Sequence, residues 1–190
     1  MTRPPVKTAA PLVRKASPAP KGMNLFCPDN RVRSVAEIEP QALAGLGIKG
    51  VILDLDNTLV LWHQEEITPE TLEWLKQLQA AGIKLCILSN SIFGKRSERI
   101  AKRLGCPNVR QAKKPTKGGF RRALQALQLP PQELAMVGDQ MFTDILGGNR
   151  MGITTIMVEP IHPHEFPYTR YISRPPERML LRYFSKKGQL

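Results

Sequence analysis

Cysteine is scarce in this chain, and its scarcity argues against two kinds of protein. The sequence has three cysteines, Cys27, Cys86 and Cys106. Because the number is odd and no Cys-x-x-Cys pair occurs, neither a disulfide framework nor a zinc site is favoured. Cys86 lies within an apolar run, which is typical of a core thiol. The pattern suits a reducing compartment, and we expect a cytoplasmic protein.

Long apolar runs are also missing. No segment approaches the roughly 18 consecutive apolar residues of a transmembrane helix. The N-terminal residues lack the apolar core of a secretory signal. We therefore expect no membrane span, while peripheral attachment at the inner face of a membrane is compatible with the composition. A transit-type leader is harder to exclude, because the first 22 residues contain no acid.

Acidic residues are outnumbered by basic ones, 16 against 28, which gives a formal net charge of +12. An excess of this size favours anionic partners, namely phosphate esters, nucleic acid or an anionic lipid surface, without choosing among them. Residues 1–22 combine five prolines with basic side chains, so we predict a disordered basic arm. Residues 23–190 then form a single domain with a basic C-terminal segment.

The remaining pattern alternates strands with helices. The predicted strands are Gly50–Asp54, Lys84–Leu88, a short one around Val109, Leu134–Val137 and Thr154–Val158. The predicted helices are Pro69 to Gly82 with Thr68 as N-cap, Ser97–Leu104, Gly118–Leu127 and Thr143–Met151. Residues 23–49 are predicted to be irregular, with a short helix near 41–46. The alternation predicts an α/β fold with a doubly wound parallel sheet.

The most informative motif follows the first of these strands and reads Asp-Leu-Asp-Asn-Thr-Leu, from Asp54 to Leu59. In an extended strand, Asp54 and Asp56 face the same side about 7 Å apart. Two acids share a face at low cost only with a cation or a proton between them. A divalent metal with phosphate chemistry and a simple Asp-Asn turn explain these six residues equally well.

Polar residues at other strand ends decide between the two explanations. Ser89 and Asn90 follow the second strand, Lys114 precedes Pro115, and Asp139 and Asp144 follow the strand at Leu134–Val137. A parallel sheet would bring these side chains to one edge, where such sheets bind ligands. The ordered set is hard to obtain by chance, although each cluster alone could be a loop.

These motifs resemble those of the haloacid-dehalogenase (HAD) superfamily of phosphohydrolases, over about residues 50–160. The match also looks like the YqeG-type subfamily, which is similar to the phosphatidylglycerophosphate phosphatases of mitochondria and plastids. Residues 47–50, 138–150 and 169–178 carry that closer resemblance. It implies a HAD-like Rossmannoid fold. Residues 60–67 and the segment between Ser89 and Lys114 leave no room for a cap domain.

The resemblance implies a role for each acidic residue. Asp54 would be the nucleophile and Asp56 the general acid and base. Asp54 and Asp139 would hold Mg²⁺, together with the main-chain carbonyl of Asp56, because only hard oxygen ligands are available. Asp144 would be a ligand through water or a neighbour of the ligands. A helix cap near Thr143 is a competing role for Asp144.

The candidate phosphate-binding residues are Thr58, Ser89, Asn90 and Lys114, and Thr58 would also hydrogen-bond near Asp54 and fix its rotamer. Ordinary strand-end or turn roles compete for Ser89 and Asn90. Lys113 is adjacent to Lys114, and the following proline favours Lys114 as the functional residue.

Two further segments invite an interpretation. Arg174 to Lys187 is basic and amphipathic, which fits an anionic membrane surface, but packing of its apolar face on the domain is the favoured alternative. His162, His164 and Glu165 are spaced like metal ligands, but the flanking prolines favour a loop.

We therefore predict a Mg²⁺-dependent phosphatase that forms an aspartyl-phosphate, with a phosphatidylglycerophosphate-like lipid as substrate. A phosphatase for nucleic-acid ends or a soluble phosphoester is one alternative. A nucleic-acid- or ribosome-binding protein on the same fold is another.

Overall fold

A computed structural model describes residues 12, 22–62, 64–91, 94–162 and 174–189. Within these residues, six parallel strands form one sheet in the order β1-β6-β5-β2-β3-β4. The strands are β1 Asn30–Val32, β2 Gly50–Leu53, β3 Lys84–Leu88, β4 Asn108–Val109, β5 Leu134–Gly138 and β6 Thr154–Val158. The predicted α/β class with a parallel sheet is confirmed.

Helices cover both faces of this sheet. They are α1 Pro40–Gly45, α2 Pro69–Ala80, α3 Gly94–Leu104, α4 Lys117–Leu127, α5 Leu146–Met151 and α6 Arg174–Lys186. Alternate strand residues point to opposite faces. Thus Val51 and Leu53 join the apolar cluster that holds α2 and α3, whereas Ile52 joins the cluster around Phe120 of α4.

Local sequence signals explain most element boundaries. Helix α2 begins where predicted, because the Thr68 hydroxyl accepts a hydrogen bond from Thr71 N and Pro69 occupies the first turn. Strands β3 and β6 have the predicted bounds. Strand β1 was missed, because it has only three residues, two of them polar, and exists through its pairing with β6.

The predicted helix at Thr143–Met151 is wrong at its start. A turn of π-helix, Met141–Ile145, comes first and α5 follows from Leu146 to Met151. Isolated π-helical turns inside helices often occur at functional sites, because the wider turn redirects side chains. Here it turns Asp144 back towards the end of β5, where Gln140 N donates to its Oδ2 at 3.1 Å.

Helix α6 packs onto the domain, as the favoured alternative predicted. Phe184 is fully buried, and Leu180 and Leu181 pack against a cluster of Met141, Ile145 and Met157. Among the described residues, no helix is long and apolar enough to cross a membrane. The predicted disordered arm lies outside the described residues, except for Leu12 and Gly22.

The loop after β2 is short and folds back on itself. Val60 forms bridges to both Asp56 and Ile67, so the chain returns to the domain before α2 begins. No separate cap domain is present among the described residues, as expected.

Candidate active site

The carboxyl ends of two neighbouring strands bring the first acidic residues together. Leu53 of β2 pairs with Val137 of β5, and Asp54 N donates to Val137 O at 2.9 Å. Asp54 therefore leaves β2 beside the point where Asp139 leaves β5. Both side chains are buried. Asp54 and Asp139 therefore lie at the same edge of the sheet, as predicted.

Asp144 completes a cluster of three buried carboxylates. One oxygen from each of Asp54, Asp139 and Asp144 lies within 4.8 Å of the others. The approach of Asp144 depends on Gly138, because a Cβ at that position would overlap the Asp144 carboxylate. The glycine in the Gly-Asp motif is thus required for close packing rather than for an unusual backbone conformation.

Lys114 is the cation of this cluster. Its Nζ donates to Asp54 Oδ1 at 2.5 Å and to Asp144 Oδ1 at 2.7 Å, and the residue is 7% exposed. Lys113 is exposed. The choice between the adjacent lysines is therefore settled in favour of Lys114 as the one that enters the site.

Asn90 fixes the main chain that carries Lys114. Its side-chain oxygen accepts from Lys114 N at 2.7 Å, and its amide nitrogen donates to Lys114 O at 3.1 Å. Asn90, which we predicted to bind phosphate, thus positions the main chain of Lys114, a role that the sequence did not suggest. Ser89 is buried, and its Oγ accepts from Ser91 N at 3.1 Å, as in an ordinary strand-end turn. Phosphate binding by Ser89 and Asn90 stays a prediction.

Thr58 lies in the site, but with a different partner from the one expected. Its hydroxyl donates to Asp139 Oδ1 at 3.3 Å, whereas we expected a hydrogen bond near Asp54. The expectation was wrong about the partner because the sequence does not reveal how closely the β5 end approaches the first motif. The contact still orients a carboxylate of the acidic cluster. Phosphate binding by Thr58 stays a prediction.

Burial disfavours negative charge on these carboxylates. It raises the pKa of Asp144 to about 6, although the neighbouring Lys114 ammonium acts against the rise. Burial likewise raises the pKa of Asp139 well above its usual range, with Arg174 opposing and Asp54 and Asp144 reinforcing the rise. A cation held among the carboxylates would relieve this cost.

The donor set suits Mg²⁺. Three carboxylates converge, all of them hard oxygen donors, and no sulfur or imidazole takes part in the cluster. Among the described residues, this is the one group of three or more acidic, His or Cys side chains close enough to hold a metal ion. The carboxylate of Asp56 is not part of this group. The expected ligand from Asp56 is its main-chain carbonyl, and that role stays a prediction.

Asp56 stands apart, paired with Arg96 from the first turns of α3. The Arg96 guanidinium donates to Asp56 Oδ1, and both side chains are mostly buried. Burial, followed by the charge of Asp54, raises the pKa of Asp56, and Arg96 limits the rise. A carboxyl group with a raised pKa retains a proton more readily, which suits a group that donates one.

Sequence reasoning missed three residues of this site, namely Arg96, Arg174 and Glu177. The guanidinium of Arg174 binds the carboxylate of Asp139, and Glu177 binds Arg174 in turn. Arg96 lies within a basic run after the second motif, and Arg174 begins the basic C-terminal segment. In the sequence, neither arginine can be distinguished from the basic residues of an exposed surface.

The sequence also suggested His162, His164 and Glu165 as possible metal ligands, with a loop as the favoured alternative. His162 is exposed, and His164 and Glu165 lie outside the described residues.

Comparison with known proteins identifies the family. A family model described as "Mitochondrial PGP phosphatase" matches residues 20–162, where PGP is phosphatidylglycerophosphate. The chain is 38% identical over 165 residues to "Probable phosphatase YqeG" of Bacillus subtilis (strain 168), across 87% of this chain and 95% of that protein. It is 31% identical over 159 residues to "Phosphatidylglycerophosphate phosphatase 1, chloroplastic" of Chlamydomonas reinhardtii, across 80% of this chain and 59% of the algal protein.

Solved structures agree on the fold. The cobalt-bound form of the deoxy-D-mannose-octulosonate 8-phosphate phosphatase (YrbI) from Haemophilus influenzae superposes with a TM-score of 0.50 at 16% identity. The match covers 72% of this chain and 89% of that one. The family match and the curated relatives together establish the chemistry class. The chain belongs to the family described as mitochondrial PGP phosphatase, and it is a phosphoric monoester hydrolase.

Proposed function

We propose that this phosphatase hydrolyses the terminal phosphomonoester of phosphatidylglycerophosphate through an aspartyl-phosphate on Asp54, with Mg²⁺ as cofactor. The observation that carries the proposal is the buried cluster of Asp54, Asp139 and Asp144, in which the Lys114 ammonium binds Asp54 and Asp144. The family match and the algal relative named for this substrate support the choice of lipid.

The reaction divides into two displacements at phosphorus. A carboxylate oxygen of Asp54 attacks phosphorus while the bond from phosphorus to the glycerol oxygen breaks. Asp56 gives its proton to the departing oxygen. In the second step Asp56 takes a proton from water, whose oxygen attacks the same phosphorus. The acyl phosphate bond then breaks, releasing inorganic phosphate and restoring the Asp54 carboxylate.

The residues of the site would have different roles. Asp54, Asp139 and Asp144 would hold Mg²⁺, which would offset repulsion between the attacking carboxylate and the phosphoryl oxygens. Lys114 supplies a fixed positive charge beside Asp54, where it can bind phosphoryl oxygens on which negative charge is spread. Arg96 keeps the Asp56 carboxyl near the nucleophile, and its guanidinium can also meet the phosphodiester of the same lipid.

Features near the site fit a substrate embedded in an anionic bilayer. Trp62, in the loop after the first motif, is 38% exposed, and Ile161, whose N donates to Asn57 O, is 39% exposed. Lys95 and Lys113, which are next to Arg96 and Lys114 in the sequence, are exposed cations. Aromatic and apolar side chains among cations are typical of surfaces that dock on anionic lipid.

The substrate assignment is tested by a panel of phosphomonoesters with Mg²⁺. Phosphatidylglycerophosphate and phosphatidic acid are presented in mixed micelles, beside soluble glycerophosphate and a 5′-phosphorylated oligonucleotide. We expect kcat/KM to be highest for phosphatidylglycerophosphate. Faster release from phosphatidic acid or glycerophosphate would discard the lipid assignment and keep the phosphatase. Preference for the oligonucleotide would favour a nucleic-acid end, for which the net charge of +12 is also suited.

The covalent intermediate is tested by rapid quenching of a reaction with substrate labelled on the terminal phosphate. We expect label on the protein that hydroxylamine releases, because acyl phosphates react with that nucleophile. Under the same conditions an Asp54→Asn variant should carry no label. Label retained by the variant would place the nucleophile elsewhere.

A further inference from the structure

The first turn of helix α6 reaches into the catalytic cluster from the far end of the chain. Arg174 is 8% exposed and Glu177 is 2% exposed, and both face the segment that follows β5. Arg174 Nη1 donates to the main-chain oxygen of Asp139 at 2.7 Å, and its Nη2 donates to Asp139 Oδ2. One guanidinium therefore holds both the backbone and the side chain of a single residue.

Glu177 fixes that guanidinium and the segment beyond it. Its Oε2 accepts from Arg174 Nη1 at 2.9 Å, and its Oε1 accepts from Met141 N at 2.9 Å. The pair thus holds the start of the π-helical turn that carries Asp144. Because both carboxylate oxygens of Glu177 accept hydrogen bonds, Glu177 holds the Arg174 guanidinium in one orientation.

The two oxygens of Asp139 have separate partners. Oδ2 meets Arg174, whereas Oδ1 accepts from the Thr58 hydroxyl. These contacts on opposite sides fix the rotation of the carboxylate beside Asp54 and Asp144. Groups that orient a ligand in this manner set its affinity for a metal ion without touching the ion.

We propose that Arg174, oriented by Glu177, is a positioning residue that holds Asp139 in the geometry required for binding a divalent cation, which makes helix α6 part of the active site. The inference rests on the proposed function in one respect, namely that Asp139 is a cation ligand. Arg174 and Glu177 lie outside residues 20–162, over which the family model matches.

The sign of the effect separates positioning from simple electrostatics. An arginine beside a cation site repels the cation, so removing its charge alone should tighten Mg²⁺ binding. Removing an orienting contact should instead weaken binding, by about 10- to 100-fold in typical metal sites. Lysine keeps the charge but cannot reach two acceptors with a planar fork, so it should not restore binding.

The test is Mg²⁺ binding to the full chain, measured by titration calorimetry without substrate. Arg174→Gln and Arg174→Lys are compared with wild type, and Arg178→Gln, an exposed position on the same helix, is the matched control. We expect about 10- to 100-fold weaker binding for Arg174→Gln, at least about ten-fold for Arg174→Lys, and no change for the control. Unchanged or tighter binding by Arg174→Gln, or full recovery in Arg174→Lys, would overturn the proposal.

A second variant keeps the test decisive if the arginine variants fail to fold. Glu177→Gln retains the Arg174 charge but weakens its orientation, and it should also bind Mg²⁺ more weakly while its far-ultraviolet circular dichroism stays native. Wild-type affinity in Glu177→Gln would overturn the proposal. If the variants bind Mg²⁺ more weakly as expected but the wild type does not hydrolyse phosphatidylglycerophosphate, only the proposed substrate is rejected. A wild-type protein that binds no Mg²⁺ would reject the metal site and this inference together.

Discussion

At the scale of single residues, three cations pair with the four acids of the site. Lys114 pairs with Asp54 and Asp144, Arg96 pairs with Asp56, and Arg174 pairs with Asp139. The three cations come from three different parts of the chain. Asp56 thus has a cation that is separate from those of the three clustered carboxylates.

Replacing Asp56 by Asn should slow the reaction in a way that depends on the leaving group. Asn can neither give nor take the proton, so we expect kcat to fall by about 10²- to 10⁴-fold with an alkyl phosphate. With p-nitrophenyl phosphate the first step needs little proton donation, so the variant should release a burst of nitrophenol and then stall. The measurement is stopped-flow absorbance. Equal losses with both esters and no burst would contradict the role of Asp56.

The acids could be read from the sequence, but their cationic partners could not. Asp54, Asp56, Asp139 and Asp144 follow strands at fixed spacings, and parallel strands bring their carboxyl ends together. Arg96 and Arg174 belong to helix faces rich in other arginines, and no spacing distinguishes a buried guanidinium from an exposed one. Only the three-dimensional packing of α3 and α6 selects them.

At the scale of elements, α6 is a helix with two different sides. Its inner side buries Glu177 and Phe184, whereas Met179 is 72% exposed and has the basic residues Arg178 and Arg182 beside it. The amphipathic pattern of this segment was evident in the sequence. What the pattern could not tell was that the domain, rather than a membrane, covers Phe184.

Truncation of the buried aromatic ring should therefore destabilise the fold. Phe184→Ala is expected to lower the free energy of unfolding by about 3 kcal/mol, because it leaves a cavity in a packed interface. Met179→Ala on the same helix should change it by less than about 0.5 kcal/mol. Urea unfolding followed by circular dichroism measures both. Similar values for the two variants would mean that α6 is not docked as described.

Elements with strong periodicity were predicted well, and elements that depend on neighbours were not. Strands β3 and β6, of five residues each, have the predicted bounds because each ends in a short apolar run and is flanked by clear breaks. Strand β1 and the π-helical turn at Met141–Ile145 depend on partners distant in sequence. Tertiary contacts thus decide the elements that local propensity leaves open.

At the scale of the whole molecule, positive charge and exposed apolar side chains can be tested together by fluorescence. Trp62 is partly exposed, while the other tryptophan, Trp74, is buried and donates to Ile38 O at 2.8 Å. Vesicles containing anionic lipid should shift the emission of Trp62 to shorter wavelength, and added salt should weaken the effect. A Trp62→Phe variant should show no shift. A shift equally large with uncharged vesicles would contradict the electrostatic part of the account.

The most direct test of the central claim is phosphate release from phosphatidylglycerophosphate in mixed micelles with Mg²⁺, by wild type and by Asp54→Asn. We expect release by the wild type that falls by at least about a thousand-fold in the variant, whose amide cannot act as the nucleophile. Thermal unfolding should show that the variant is folded. A folded Asp54→Asn protein that retains most of the wild-type rate would contradict the account.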